Sequence, residues 1–328
     1  MQSKRELYQA AMRTVCARRQ AARARAEDAR RTTYAAVPGL AEAEEEFRQR
    51  GIRAAMAAAR GQDTAEALAA LQAAKAACDR LLQASGRSPD YLEPKFTCRI
   101  CEDTGTFEGR MCTCVKAQMQ ALRRKEIEAA SSLKICSFDT MELRYYPAQR
   151  DPVTGCNVRH HMEGLLQDLR DYADEFDRDS ANLLLIGNAG LGKTHAALAI
   201  AGKALEKGYD VIYMSSPEFF SQLENYHFTS GAGADEEALL SAATEADLLI
   251  LDDLGTEMVS TFTISTFYTL LNSRMAARRP TIFTSNITDG TVFEKRYTEK
   301  ISSRLAGSCE QCIFLGEDIR QQKAAEPV

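Results

Sequence analysis

The sequence contains no tryptophan and only 8 prolines among 328 residues, and its apolar runs are short. A transmembrane helix needs about 20 consecutive apolar residues, so we expect no membrane span. The first residues, MQSKRELYQA, lack the apolar segment of a secretory signal peptide. These absences favour a cytoplasmic helical or α/β protein that has no membrane partner.

Neither sign of charge dominates, because 41 basic and 46 acidic residues give a net charge of only −5. This value argues against a protein that is basic over its whole surface, although it does not exclude a local basic patch. The chain has 10 cysteines, and we expect the protein to lie in a reducing compartment. Clustered cysteines there indicate metal ligands rather than disulfides.

The composition divides the chain into three parts. Residues 3–86 are predicted to be helical, with an interruption at Pro38 and a start signal at Asp63-Thr64. We expect a helical region over 1–90, a cysteine-rich knuckle with a linker helix over 91–130, and an α/β domain over 131–328. The helical region is interpreted either as a structural bundle or as a module that binds a partner, and the sequence leaves both readings open.

Short apolar runs alternate with helical ones in the third part. Strands are predicted at 182–186, 210–214, 247–251, 281–284 and 313–315, and helices at 193–207, 218–226 and 264–277. Strands that alternate with crossover helices indicate a central parallel sheet.

A glycine-rich pattern follows the first of these strands. Gly187, Asn188, Ala189, Gly190, Leu191, Gly192, Lys193 and Thr194 satisfy G-x-x-x-x-G-K-[ST], and His195 comes next. Between a strand and a helix, such a loop turns backbone N–H groups and a helix N-terminus toward phosphates. We expect ATP to bind from Gly187 to His195, with Lys193 at the β- and γ-phosphates and Thr194 on Mg²⁺.

Polar side chains end two further predicted strands. In LLILDDLG, Asp252 is predicted to hold Mg²⁺ and Asp253 to orient or deprotonate the attacking water. After the run TIF, Asn286 is expected near the γ-phosphate, although Ser-Asn is also an ordinary start of a turn. Together with Lys193, these residues predict ATP hydrolysis.

Arginines in the last part of the chain carry two further predictions. Arg304, in ISSRLAG, is placed to reach the γ-phosphate of a neighbouring subunit, although an exposed arginine is usually only a solvated charge. Arg274, Arg278 and Arg279 are interpreted either as contacts to DNA phosphates or as cations at the end of a helix.

Four cysteines fall within one short segment. Cys98, Cys101, Cys112 and Cys114 form a C-x₂-C and a C-x-C pair, with Asp103-Thr104-Gly105 supplying a turn between them. Tetrahedral Zn²⁺ takes four thiolate ligands, so we predict a zinc knuckle. Cys309 and Cys312 form another C-x₂-C, but they lack a second pair and are expected to flank and begin a buried strand.

These motifs together resemble the bacterial replicative-helicase loaders of the DnaC/DnaI type. The resemblance runs from about residue 91 to 320 and includes CRICEDTGTFEGRMCTC, GNAGLGKTH, LLILDDLGTE, ISSRLAG and GEDIR. It implies an AAA+ P-loop ATPase domain that follows an α-helical region with the zinc knuckle. About a dozen residues follow the last predicted strand, so we expect no C-terminal lid.

The resemblance also implies partners. ATP-dependent self-association would let Arg304 complete a neighbour's site, and the N-terminal part would hold the hexameric replicative helicase for loading on single-stranded DNA. Arg320 matches the closing arginine of the pattern, with no role assigned. The alternatives are an IstB-type transposition helper that binds duplex DNA and a transposase, a nucleotide-switched adaptor with little turnover, and a small-molecule kinase.

Overall fold

The computed structural model describes residues 2–131, 133–229 and 233–325. The chain separates into two compact units, Met12–Val115 on the one hand and Met1–Ala11 with Lys116–Val328 on the other. The predicted boundaries at residues 90 and 130 stay a prediction.

The first unit is mainly helical. Its elements are α1 (Lys4–Ala36, which starts before the unit), α2 (Leu40–Ala59), α3 (Ala65–Ala84), β1 (Thr106–Phe107) and β2 (Arg110–Met111). The first helix ends before Pro38, as expected, because proline cannot continue a helical hydrogen-bond ladder. Helix α3 buries Ala74, Cys78 and Leu82 against its surroundings, whereas Leu68 is 48% exposed. The apolar side chains of α3 are therefore buried mainly along its second half.

The second unit contains the remaining elements. They are α4 (Thr113–Ala130, which begins just before this unit), two 3₁₀ turns (Phe138–Thr140 and Leu143–Tyr145), α5 (Val158–Glu175), β3 (Asn182–Ile186), α6 (Lys193–Glu206), β4 (Val211–Ser215), α7 (Ser216–Phe228), α8 (Gly233–Glu245), β5 (Leu248–Leu254), α9 (Thr261–Ala276), β6 (Thr281–Ser285), α10 (Gly290–Tyr297), α11 (Glu299–Ser308), β7 (Cys309–Ile313) and α12 (Ile319–Ala325).

Five strands of this unit form a parallel sheet in the order β4-β5-β6-β3-β7. The predicted parallel sheet is confirmed, and β3 lies inside it, between β6 and β7. One strand was placed wrongly, because the last strand is Cys309–Ile313 rather than 313–315. This edge strand has two exposed polar residues, Glu310 and Gln311, between its two buried cysteines, so it lacks the continuous apolar run of the inner strands.

Successive side chains of each inner strand enter opposite layers of the core. Leu183 and Leu185 pack with α5 and α6, whereas Leu184 packs on the face covered by α7, α8, α9, α10 and α11. The same alternation places Tyr213 with the first layer and Met214 with the second. Because both faces are covered, the strands read as apolar runs and their polar ends lie at the edge of the sheet.

Within the ranges that the structure describes, no helix is both long and apolar enough to span a bilayer.

Candidate nucleotide-binding site and metal centre

A cavity of about 300 Å³ opens beside the glycine-rich loop. Its lining joins the loop, the segment before α5, the ends of β5 and β6, and α12. The lining residues are Leu133, Thr140, Met141, Glu142, Tyr145, Tyr146, Ala189, Gly190, Leu191, Gly192, Lys193, Thr194, His195, Asp253, Asn286, Ile319, Arg320 and Lys323. Five parts of the chain that are far apart in the sequence thus meet at one place.

The loop between β3 and α6 has the backbone that a phosphate cradle requires. Gly190 and Gly192 have φ of 78° and 96°, in the left-handed region that favours glycine. A Cβ at Gly190 would lie 1.9 Å from the Asp318 carboxylate oxygen Oδ1. The loop then enters α6 directly, so the N-terminus of this helix lies at the cavity, which suits an anionic ligand.

Lys193 is buried, at 5% exposure, at the start of α6. Its Nζ donates to the carbonyl oxygens of Gly187 (2.7 Å) and Asn188 (2.6 Å) and to Asn286 Oδ1 (2.8 Å). Burial lowers the pKa of Lys193 to about 8, although the nearby Asp253 and Asp252 carboxylates act in the opposite direction. The structure therefore brings Lys193 and Asn286 together, as their predicted roles require.

Asp252 is 3% exposed near the end of β5, and each of its carboxylate oxygens accepts hydrogen bonds. Thr194 Oγ1 lies 3.0 Å from both oxygens, Thr284 Oγ1 lies 2.6 Å from Oδ1, and Tyr213 Oη lies 2.7 Å from Oδ2. A hydroxyl beside a carboxylate is the oxygen donor set that suits Mg²⁺. Tyr213 and Thr284 were not predicted as site residues.

Asp253 has φ of 56°, and the pairing of β5 with β6 shifts register between Leu251 and Leu254. The backbone N–H of Asp253 donates to Thr284 Oγ1 at 2.9 Å. This irregularity turns the Asp253 side chain into the cavity, next to Asp252. Burial and the charge of Asp252 raise the pKa of Asp253, while Lys193 and Arg320 oppose that shift. A raised pKa makes a carboxylate a better proton acceptor.

A segment that sequence reasoning missed closes one side of the cavity. Tyr146 is 1% exposed, and its hydroxyl donates to the Leu191 carbonyl at 2.9 Å. His195 Nε2 lies 2.8 Å from Thr140 Oγ1 and 3.2 Å from the Ser137 carbonyl. Burial lowers the pKa of His195, while its hydrogen bond to the Ser137 carbonyl opposes that shift. The only signal in the sequence was the aromatic pair Tyr145-Tyr146, which has no motif around it.

The segment after β7 covers another side. The Ile319 N–H donates to the Gly190 carbonyl at 3.1 Å, which lays the start of α12 on the phosphate loop. Arg320 lines the cavity and acts electrostatically on both Lys193 and Asp253. The unassigned arginine of GEDIR is therefore placed at the site of its own chain.

Arg304 lies elsewhere, on α11. Its guanidinium donates to Asn272 Oδ1 (2.7 Å) and Tyr268 Oη (2.8 Å) and stacks over the Tyr268 ring at 4.5 Å. It is not among the described residues that line the cavity of its own chain.

Arg274 is a core residue, which corrects its interpretation as a DNA contact. It is 2% exposed, and its guanidinium donates to the carbonyl oxygens of Ala243 (2.7 Å) and Ala246 (3.0 Å) and to Thr281 Oγ1 (2.8 Å). A side chain that is enclosed in this way cannot reach a phosphate. Arg278 is exposed and Arg279 partly so, and their interpretation stays a prediction.

The four cysteines of the predicted knuckle converge in the first unit. The Sγ atoms of Cys98, Cys101, Cys112 and Cys114 all lie within 4.8 Å of one another. The Cys98–Cys112 and Cys101–Cys114 separations are 3.7 and 3.5 Å. Tetrahedral ligands with Zn–S bonds of about 2.3 Å would stand about 3.8 Å apart, so the cluster fits the ion.

Asp103 supports the same turn from within. It is fully buried, and its carboxylate accepts from the backbone N–H groups of Thr97 (2.8 Å) and Cys98 (3.0 Å). These bonds hold the backbone at Cys98 in place without help from a metal ion. Cys309 and Cys312 differ, because β7 places them in opposite layers of the core, so they cannot share an ion.

The nucleotide cradle and the sheet order agree with the comparison of the sequence to known families. A sequence model of the family described as IstB-like ATP binding protein matches residues 160–326, about half of the chain. The chain belongs to the IstB-like ATP-binding family. Its parallel sheet, with the phosphate loop after an inner strand, is the P-loop α/β architecture that the motifs predicted.

Individual relatives carry more specific names. The replicative helicase loader DnaC of Escherichia coli K12 is 29% identical over 172 residues, which span 51% of this chain and 68% of that protein. The phage-like element PBSX protein XkdC of Bacillus subtilis 168 is 25% identical over 236 residues, which span 67% and 82% of the two chains. The crystal structure of the DnaC helicase loader superposes with a TM-score of 0.43 at 22% identity, covering 52% of this chain and 99% of that one.

Proposed function

We propose that this member of the IstB-like family is an ATP-hydrolysing loader, which binds a hexameric replicative helicase and places it on single-stranded DNA. The observation that carries the proposal is the similarity to proteins named replicative helicase loader, together with a phosphate loop and two carboxylates around one cavity. The family model covers only the ATPase part, so it does not separate loaders from transposition helpers. The relatives' names favour the loader.

The proposed hydrolysis follows from the side chains in the cavity. Lys193 would bind the β- and γ-phosphates, and Thr194 and Asp252 would hold Mg²⁺, which supplies charge neutralisation on the phosphates. Asp253 accepts a proton from water as the water oxygen attacks the γ-phosphorus and the bond to the β–γ bridging oxygen breaks. Asn286, already 2.8 Å from Lys193 Nζ, orients the γ-phosphate or the water.

The rest of the cavity offers a place for the nucleoside. Leu133, Met141 and Tyr145 give its lining an apolar and aromatic part, which suits a purine base. Lys323 lies over the Tyr145 ring at 4.9 Å, so α12 and the 3₁₀ segment meet at this part of the lining. Arg320 adds a positive charge beside the carboxylates, and we assign it to the γ-phosphate.

Self-association is proposed from the position of Arg304. Tyr268 and Asn272 hold its guanidinium in a fixed direction on α11, and it does not reach the described cavity of its own chain. An arginine that is fixed in this way is suited to the γ-phosphate of a neighbouring subunit. ATP would then sit between subunits and favour assembly.

The helicase contact is assigned to the first unit. We propose that Cys98, Cys101, Cys112 and Cys114 hold Zn²⁺ and keep this unit folded. On α2 and α3, Ile52, Met56 and Leu68 are 57%, 50% and 48% exposed. Ile52 and Met56 are four residues apart, so they share one face of α2. Exposed apolar side chains on one helix face are a feature of surfaces that bind other proteins.

Two surfaces of the ATPase unit are candidates for single-stranded DNA. His227 and Phe228 lie at the end of α7 with their ring centroids 4.6 Å (His227) and 6.2 Å (Phe228) from Phe262, and Phe228 is 73% exposed. Exposed rings stack on bases regardless of sequence. Arg278 and Arg279 form the other candidate, through phosphates.

The test is co-elution of the full-length protein with its cognate replicative helicase on a sizing column, with and without Mg-ATP. Met56→Asp should abolish the complex, because a charge would enter the apolar contact. Val153→Asp is the matched control, since Val153 is 91% exposed but lies in the other unit. No complex in either nucleotide state, with tight binding of duplex DNA instead, would favour the transposition helper and refute the loader.

A further inference from the structure

Asp252 lies on β5, and the two neighbouring strands each contribute one hydroxyl to its carboxylate. Thr284 of β6 donates to Oδ1 at 2.6 Å, and Tyr213 of β4 donates to Oδ2 at 2.7 Å. Each oxygen is therefore bonded from one side of the strand. Thr284 belongs to the polar strand end TSN, whereas Tyr213 lies in the middle of an apolar strand and belongs to none of the motifs.

The register of the sheet explains how Tyr213 reaches this position. Tyr213 pairs with Ile250 and Ser215 pairs with Asp252, so Tyr213 is the diagonal neighbour of Asp252 on the same face. Diagonal neighbours in a sheet stand about 7–8 Å apart, a distance that an aromatic side chain can span. A shorter side chain at position 213 would leave Asp252 Oδ2 without this donor.

The chemistry of the two partners fixes the direction of this bond. An ionised carboxylate only accepts hydrogen bonds and a phenol has one proton, so Tyr213 Oη donates to Asp252 Oδ2. Tyr213 is 2% exposed, so water does not compete for this bond.

We propose that Tyr213 is a positioning residue, which fixes the orientation of the Asp252 carboxylate for Mg²⁺ bound with the nucleotide. The proposal rests on the nucleotide and Mg²⁺ site described under the proposed function. Mg²⁺ demands near-ideal octahedral geometry, so a carboxylate that rotates freely holds it less well. Hydrogen-bond partners of a metal ligand contribute about 10- to 100-fold to metal affinity or activity.

The test uses Tyr213→Phe, which removes only the hydroxyl. The Kd of a fluorescent N-methylanthraniloyl derivative of ATP is measured in EDTA and in saturating and limiting Mg²⁺. Tyr172→Phe is the matched control, because Tyr172 donates a bond of the same length, 2.7 Å, to the Ala181 carbonyl, at a residue outside the cavity lining. Both constants come from the same folded population, so their ratio is insensitive to a small loss of stability.

We expect the Kd in EDTA to stay unchanged in Tyr213→Phe. The Mg²⁺ concentration that half-saturates nucleotide binding should rise about tenfold or more. Tyr172→Phe should match the wild type in both measurements. A wild-type Mg²⁺ requirement in Tyr213→Phe would overturn the proposal. Failure of the unmodified protein to bind the nucleotide at all would instead refute the proposed ATP site.

Discussion

The amine of Lys193 and the side-chain oxygen of Asn286 lie 2.8 Å apart, which joins the start of α6 to the end of β6. The two residues are 93 positions apart in the sequence, and parallel pairing of β3 with β6 brings them together. Their contact joins Lys193, which we expect to bind the phosphates, to Asn286, which we expect to orient the γ-phosphate or the attacking water. The two residues should therefore differ in the step they affect.

Lys193→Ala should abolish nucleotide binding while the fold is retained. Removing the buried amine that faces the β- and γ-phosphates should weaken binding by roughly 100-fold or more, in the range of a lost charge-assisted contact. Lys203→Ala on the same helix is the control, because Lys203 is exposed and pairs with Asp174. Normal ATPase activity in Lys193→Ala would contradict the site assignment.

Asn286→Ala should act on turnover instead. We expect kcat to fall by about 100-fold, the loss that follows removal of one preorganised polar group from a reaction centre. The Kd of ATP should change by less than about threefold, because Lys193 and the loop still bind the phosphates. Equal losses in binding and turnover would show that Asn286 only supports Lys193.

ATP affinity should fall as the pH rises through about 8. The pKa of Lys193 is lowered to about 8 by burial, so the free protein loses the lysine charge above that pH. Binding phosphates favours the charged amine and takes up a proton, which makes affinity decrease with increasing pH. Between pH 7 and pH 9 the Kd should rise about tenfold. Calorimetry in two buffers of different ionisation enthalpy measures the proton uptake directly.

The sequence predicted those parts of the site that lie close together along the chain. The phosphate loop and the two aspartates follow apolar strands, so their positions could be inferred from local patterns. Tyr213, Tyr146 and Arg320 were missed or left without a role, because each reaches the cavity through strand register or through packing of distant segments. Arg274 was expected at the surface for a related reason. A basic residue near a helix end can be solvated or buried, and the local sequence does not distinguish the two.

Arg274→Met should lower the stability of the fold and should leave DNA affinity unchanged. Loss of the guanidinium leaves buried carbonyl groups without donors, and each such group costs about 1–3 kcal/mol. We expect the free energy of unfolding to fall by about 3 kcal/mol or more. Arg278→Met, at an exposed position, should stay within about 0.5 kcal/mol. Urea denaturation measures the free energy of unfolding of both variants. Equal stability of the two variants would contradict the assignment of Arg274 to the core.

Cys112→Ser should release zinc and loosen the first unit. The ion would lose one of four thiolates that the structure gathers within 4.8 Å, and metal binding stabilises small sites of this kind. Atomic emission should find less than one zinc per chain, while ATP binding is retained. Cys156→Ser is the control, because Cys156 is exposed and lies outside the cluster. Full zinc content in Cys112→Ser would refute the knuckle.

The close approach of Gly190 to Asp318 restricts which substitutions can accumulate in this sequence during evolution. A side chain at position 190 would occupy the space of the Asp318 carboxylate, and the Ile319 N–H bonds to the Gly190 carbonyl. A side chain at position 190 would therefore need both a left-handed backbone and a displaced Asp318 carboxylate. Across descendants of this gene, the phosphate loop and the segment that starts α12 should be inherited as a coupled pair, although 128 positions separate these two residues.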